Sequence, residues 1–378
     1  MALAGVTFPP LVKAQEVQKE GPGWDRGAAA QYLDDRIDLW FERATELRTG
    51  EAKTSCISCH TVVPYLLARP ALRKTMRSAG QTPQESRLLK EMAHRVGTYP
   101  NHESLSDSKH GGGKHGTEAV LNALVLAQRD AEQRKQDLSE TTRKAFRQLW
   151  DTQAADGAWD WMDFGEEPDE SADARYHGTA MAAIAVGTAP GLAGTGDADI
   201  EGYVGKMRAY LNGKYAEQNL YNRAWMLLAS TRLTGLLNRD LREVLIAELR
   251  STQNGDGGWS LYKLGPWRWS KASLPFAPPG QPDALLLEKS DGYATGLIAY
   301  ALCEAGLPAN EPTLQRAAEW LKGNQKEVQI DQHVWKCWQT HSLNHDRENG
   351  GARGGVWKRM FMSDTATAFA VLALSSLK

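Results

Sequence analysis

Cys56-Ile57-Ser58-Cys59-His60 puts two thiols one helical turn apart and an imidazole directly after the second. At that spacing both sulfurs face one side of a helix, and the imidazole lies within reach of whatever they hold. Several chemistries use such a set. The sulfurs can tether a flat macrocycle whose metal the imidazole binds, act as a redox dithiol, supply half of a zinc site, or pair as a short-loop disulfide. A redox dithiol belongs after a strand in a βαβ setting, and strand signals are scarce here. A zinc site needs a second ligand pair, whereas Cys303 and Cys337 stand isolated and far apart. A disulfide gives His60 no role. Four Cys in 378 residues also exclude a disulfide scaffold.

The elements that must position this pentad follow from internal repetition. Six apolar segments open with a short polar or glycine-containing turn: at Cys59-His60-Thr61, His115-Gly116-Thr117, His177-Gly178-Thr179, Asn219-Leu220-Tyr221, Ser290-Asp291-Gly292 and Ser363-Asp364-Thr365. Each continues into small and aliphatic residues on nearly all sides, the pattern of a helix buried all round. Between them lie amphipathic segments at 28–48, 82–96, 139–153, 199–213, 238–252 and 311–324. Leu241, Val244, Leu245 and Leu249 show their 3.6-residue period. Helix starts are marked by Ser139 with Glu140, by Thr82 before Pro83 and by Glu311 before Pro312. Alternating outer and inner helices in six pairs predict an all-α fold, an (α/α)6 toroid over residues 26–378 with the Cys–His pentad in its first repeat. An open array of the same pairs is the alternative. The long segment Leu261–Lys289 would cover one mouth, and Val328–Arg353 forms a second insertion.

After two outer segments the sequence repeats Gln-x-x-Asp-Gly-x-Trp, as Gln153-Ala154-Ala155-Asp156-Gly157-Ala158-Trp159 and Gln253-Asn254-Gly255-Asp256-Gly257-Gly258-Trp259. A degenerate third copy is expected at Gly354-Gly355-Val356-Trp357. The Gln caps a helix end, the Gly permits a left-handed turn, and the Trp folds back over neighbouring helices, which makes these structural staples. The pattern resembles the repeats of squalene–hopene and oxidosqualene cyclases and, more distantly, of protein prenyltransferase β-subunits. That resemblance implies a toroid of inner and outer helices around an apolar cavity. It does not extend to the cyclase acid: Phe361-Met362-Ser363-Asp364-Thr365-Ala366 keeps the final Asp-Thr-Ala of the family's Asp-x-Asp-Asp-Thr-Ala run but has Ser363 where the proton donor belongs. The prenyltransferase Asp-x-Cys is also missing, since Asp291 is followed by Gly292 and Tyr293.

The pentad itself resembles the c-type haem attachment site, which implies covalent haem c on Cys56 and Cys59 with His60 as proximal iron ligand. The repeat alignment brings His115 and His177 to the level of His60, with His115 as the first candidate for the distal ligand. Capping or hydrogen bonding at helix starts is their structural alternative. The same mouth is expected to gather Tyr176, Tyr221, Arg223, Tyr293, Asp291 and Asp364, with Trp267 and Trp269 as an aromatic cover for a substrate cavity. The expected function is therefore an exported, periplasmic haem protein performing redox chemistry near a small hydrophobic, isoprenoid-like ligand or a gas. The alternatives are an electron-transfer or gas-sensing module serving a redox partner protein, and a haem-free cyclase or lyase using Asp291, Asp364 or a loop acid.

Composition bounds these readings. A net charge of −2, with 44 Lys+Arg against 46 Asp+Glu, lacks the basic footprint of a nucleic-acid binder. At 42% hydrophobic and 24% charged the chain reads as globular, and no apolar run is long enough for a transmembrane helix. Residues 1–25 read as a tail. The segment Ala2–Leu11 followed by Val12-Lys13-Ala14 suits the remnant of a secretory signal, although it lacks a basic start.

Overall fold

The computed structural model describes residues 23–44, 57–78, 80–99, 113–192, 194, 196–268, 284–330, 332–344 and 360–377. The outer helices start where the local signals lie. Thr82 caps with a complete capping box to Glu85, Ser139 accepts from the Thr142 amide, and Glu311 accepts from Thr313 and Leu314. They are α1 (Arg26–Ala44), α3 (Pro83–Thr98), α5 (Glu140–Asp151), α7 (Ala198–Lys214), α9 (Arg239–Ser251) and α11 (Pro312–Gly323). The inner helices are α2 (Val62–Thr75), α4 (Gly113–Glu132), α6 (Ala174–Thr188), α8 (Leu220–Arg232), α10 (Gly292–Glu304) and α12 (Phe361–Ser376).

Burial separates the two sets. Every residue of α12 from Phe361 to Leu374 is buried, whereas α9 buries only Leu245 and Leu249. Each inner helix packs on the next, from α2 through α4, α6, α8 and α10 to α12, and α12 packs back on α2. The ring is closed, and the fold is an (α/α)6 toroid. The inner helices run in one direction, so their starts form one mouth and their ends the other. No helix among the described residues is long and apolar enough to cross a membrane.

Both Gln–Trp copies act alike. The Trp159 and Trp259 indoles donate to the carbonyls of Leu149 and Leu249, and Gln153 and Gln253 donate to Tyr203 O and Thr313 O on the next outer helix. The expected third copy at Gly354–Trp357 lies outside the described residues. Another staple is present instead. Trp338 donates to Leu321 O, and Gln325 exchanges hydrogen bonds with the Asp25 backbone at 2.7 and 2.8 Å. The turn between Gln325 and Trp338 has been replaced by an antiparallel hairpin, β1 (Lys326–Ile330) and β2 (His333–Cys337), with Val328 opposite Trp335. The hairpin begins two residues before the second insertion and runs into it, where strands were not expected.

Candidate functional site

A short acidic loop lies against the inner-helix starts. After Trp159 the chain crosses the first turn of α4 so closely that a Cβ on Gly116 would lie 2.4 Å from Asp160 O. Trp161 then packs flat on α6, where a Cβ on Gly178 would meet its ring at 2.2 Å. Glycine at both positions is what lets the segment lie this low. Glu166 and Glu170 pair backbone to backbone, closing a tight loop around Glu167-Pro168-Asp169. The Trp161 indole donates to Asp169 O, and Asn344 donates to Glu167 O. The loop is thereby anchored to α6 and to the segment after the hairpin, and Glu167, Asp169 and Glu170 are all buried.

Each acid has a distinct environment. Asp169 Oδ1 accepts from Tyr221 at 2.6 Å and Tyr293 at 3.2 Å, and His177 Nε2 lies 4.0 Å from the same oxygen. Burial and the neighbouring carboxylate hold both phenols well above their ordinary range, so they remain proton donors. His177 is fully buried, stacked on Trp225, and burial pushes its pKa down to about 3, which keeps it neutral. Glu170 Oε1 accepts from Cys59 Sγ at 3.3 Å and lies 3.9 Å from His60 Nε2. Glu167 accepts from Ser171 and from the Arg268 amide. Burial nevertheless raises its pKa to about 7, with the Asp173 and Asp169 charges adding to the shift.

His60 is oriented from behind. The Thr61 hydroxyl donates to Asp364 and therefore accepts from His60 Nδ1 at 3.0 Å. That arrangement places the ring proton on Nδ1 and turns Nε2 toward Glu170. Phe361 stacks on the imidazole at 3.6 Å between centroids, and Trp40 meets its edge.

These contacts do not fit a haem. His60 is 4% exposed, one nitrogen is bonded to Thr61, the other faces Glu170, and Phe361 covers a ring face. An axial ligand needs a free nitrogen with a slot for the porphyrin in front of it. Cys59 is directed at Glu170, and Cys56 lies outside the described residues. His115, the expected distal ligand, packs its ring edge-on against Tyr99 at the end of α3. Among the described residues no group of three or more His, Cys, Asp or Glu side chains is placed to hold a metal ion.

Of the other expected residues, Tyr221 and Tyr293 reach the cluster, and Trp267 packs on Tyr221 at 5.7 Å. Trp269 lies outside the described residues. Tyr176 donates to Leu211 O on α7, and Arg223 pairs with Glu248 on α9, so both bind outer helices. Asp291 caps α10 and accepts from Leu261 and Thr340, with burial raising its pKa to about 6. Asp364 binds Arg36, Tyr32 and Thr61. The loop acids themselves were not singled out from sequence. Their one signal was the run Glu166-Glu167-Pro168-Asp169-Glu170 directly after a Gln–Trp repeat.

No protein-family model matches the chain, and no curated protein matches it. Solved structures do. An α-1,6-mannanase of Salegentibacter sp. HEL1_6, in complex with α-1,6-mannotriose, aligns over 94% of this chain and 100% of its own at 11% identity, TM-score 0.49. A possible member of the GH105 family from Salmonella enterica aligns over 98% of both chains at 11% identity, TM-score 0.47. A structure titled UGL with dGlcA-Glc-Rha-Glc covers 92% of this chain and 96% of its own at 12% identity, TM-score 0.49. The sequence-based resemblance to terpene cyclases and cytochromes c is corrected: the solved structures found are these, and the contacts of His60 and Cys59 leave no place for a haem. Haem, redox chemistry and electron transfer are withdrawn for this chain.

Proposed function

We propose that the chain is an acid–base enzyme that cleaves a glycosidic bond in the mouth formed by the inner-helix starts. The observation that carries this reading is Glu167 and Asp169, two buried carboxyls on one fixed loop, the first with its pKa raised to about 7 and the second accepting from two phenols. Glu167, whose pKa of about 7 leaves it largely protonated at slightly acidic pH, is the proton donor to the leaving oxygen. Asp169 is the base that draws the proton from the attacking water, and the two phenols that donate to it favour its ionised form. The donated proton and the water's hydroxyl end on the two halves of the broken bond, so the reaction is a balanced hydrolysis. A saccharide suits the surroundings, because phenol and carboxyl groups bind hydroxyls while the half-buried Trp267 at the rim supplies an apolar ring.

The test is release of reducing ends from a panel of α- and β-linked neutral and uronate-containing oligosaccharides. Glu167→Gln and Asp169→Asn are expected to lower kcat by about 10²–10⁴-fold with no fall in the circular-dichroism melting temperature. Turnover by the unaltered enzyme is expected to fall as pH rises through about 7, where Glu167 loses its proton. Undiminished release by both variants, or no release from any substrate by the unaltered protein, overturns the reading.

A further inference from the structure

The opposite mouth holds a cavity of about 640 Å³ that the acidic loop does not touch. Its size is within the roughly 300–1,000 Å³ of small-molecule sites. Its wall combines the apolar side chains Leu67, Leu124, Ile184, Leu228 and Leu372 with Gln128, Tyr300 and Ser376, and it reaches Trp225 and Phe369, which meet edge to face at 5.6 Å. The rim is cationic. Arg73, Arg129 and Arg232 line it and are paired with Glu85, Glu132 and Glu304, as helix C-termini invite. Lys74 and Arg134 line it as well, and among the described residues neither makes an ion pair or a side-chain hydrogen bond.

Arg134 carries a second, independent mark. It follows α4 with φ +52°, the left-handed position where a helix ordinarily places glycine, and its amide donates to Ala131 O in the usual C-terminal turn. Arg77 takes the same conformation, φ +56°, after the adjacent inner helix α2. After α10 the equivalent turn has Gly306 at φ +89°. A bulky side chain kept in a conformation that costs it energy points to a use for that side chain.

We propose that this bore binds a single-chain amphiphilic anion, with its alkyl chain against the leucines and the Trp225–Phe369 floor and its carboxylate or phosphate between Lys74 and Arg134. The proposal does not rest on the glycosidic reading, although the Trp225–Phe369 floor also stacks on His177 and Tyr293 beside the loop acids. Isothermal calorimetry of the full chain with sodium dodecanoate, with dodecan-1-ol and with phosphatidylglycerol vesicles tests it. Dodecanoate is expected to bind at micromolar concentration and dodecan-1-ol at least about tenfold more weakly. Lys74→Ala combined with Arg134→Gly is expected to weaken dodecanoate binding by about tenfold or more. Arg134→Gly alone should raise the melting temperature while weakening binding, a combination that misfolding cannot produce. The proposal is overturned by no heat with dodecanoate up to about 1 mM, by equal affinity for the alcohol, by an unaffected double variant, or by binding to vesicles alone.

Discussion

Glu167 is a carboxyl whose position costs the fold something once it ionises. Its pKa rises from an ordinary 4.5 to about 7 because burial penalises the charge more than Ser171 and the Arg268 amide stabilise it. The folded state therefore holds a proton that the unfolded state has already released between these two values. Stability from this group is highest below about pH 4.5, falls as pH rises, and reaches its full loss of about 3 kcal/mol above pH 7. Glu167→Gln removes the titration, so the variant should be more stable than the unaltered chain at pH 8 and nearly equal to it at pH 4.5. Urea midpoints at the two pH values measure this, and a variant destabilised equally at both would contradict the assignment. His177 works in the opposite direction. Its depressed pKa means that the unfolded state takes up a proton below 6.5 that the folded state refuses, so its contribution is lost as pH falls toward 3. The two windows overlap between about pH 4.5 and 6.5, where the opposite slopes cancel, so stability should be highest across that range and fall on both sides of it.

At the scale of elements, the acidic loop is held by contacts that only glycine allows. Gly178 sits in α6 under the Trp161 ring, and Trp161 in turn donates to Asp169 O. Gly178→Ala must push the indole away and carry Asp169 out of register with Tyr221 and Tyr293. It is expected to cost about 1–3 kcal/mol and to lower activity more than its stability loss explains. Gly205→Ala on α7 is the matched control, because nothing lies within 4 Å of its added Cβ and the position is exposed. It should stabilise by about 0.5–1 kcal/mol. Equal destabilisation of both variants in thermal melts would refute the packing argument. The same contrast explains what could be read from sequence. Outer helices were legible to within a few residues because Thr82, Ser139 and Glu311 announce their starts locally. The staples were legible because Gln153 and Gln253 repeat an identical spacing. The loop acids were not, because nothing in Glu166–Glu170 shows that a glycine-lined crossing over α4 and α6 will bury them. The pentad misled for a related reason: spacing placed Cys59 and His60 on one helix start, but not Phe361 and Glu170 against them.

At the scale of the whole molecule, the ring depends on contacts between residues more than three hundred apart in sequence. Asp364, read from sequence as a cavity residue, instead joins the last inner helix to the first outer one. Arg36 binds both of its carboxylate oxygens, and Tyr32 and Thr61 donate to it as well. Arg36 and Asp364 are each about 2% exposed, so water cannot replace a lost partner. The outer ring is tied at the same seam by Gln325 on the Asp25 backbone. Asp364→Ala leaves the guanidinium buried without its counter-charge and is expected to cost about 3–5 kcal/mol. Asp364→Leu with Arg36→Met replaces the pair by apolar volume and should recover most of that loss, because the penalty lies in the stranded charge rather than in the absent bond. Thermal and urea unfolding of the two variants decide between these possibilities. If the double variant is as unstable as the single one, the four-residue clasp closes the ring by its own bonding. If it recovers, closure comes from the packing of α12 between α10 and α2, and the clasp serves to fix the register in which His60, Thr61 and Asp364 meet.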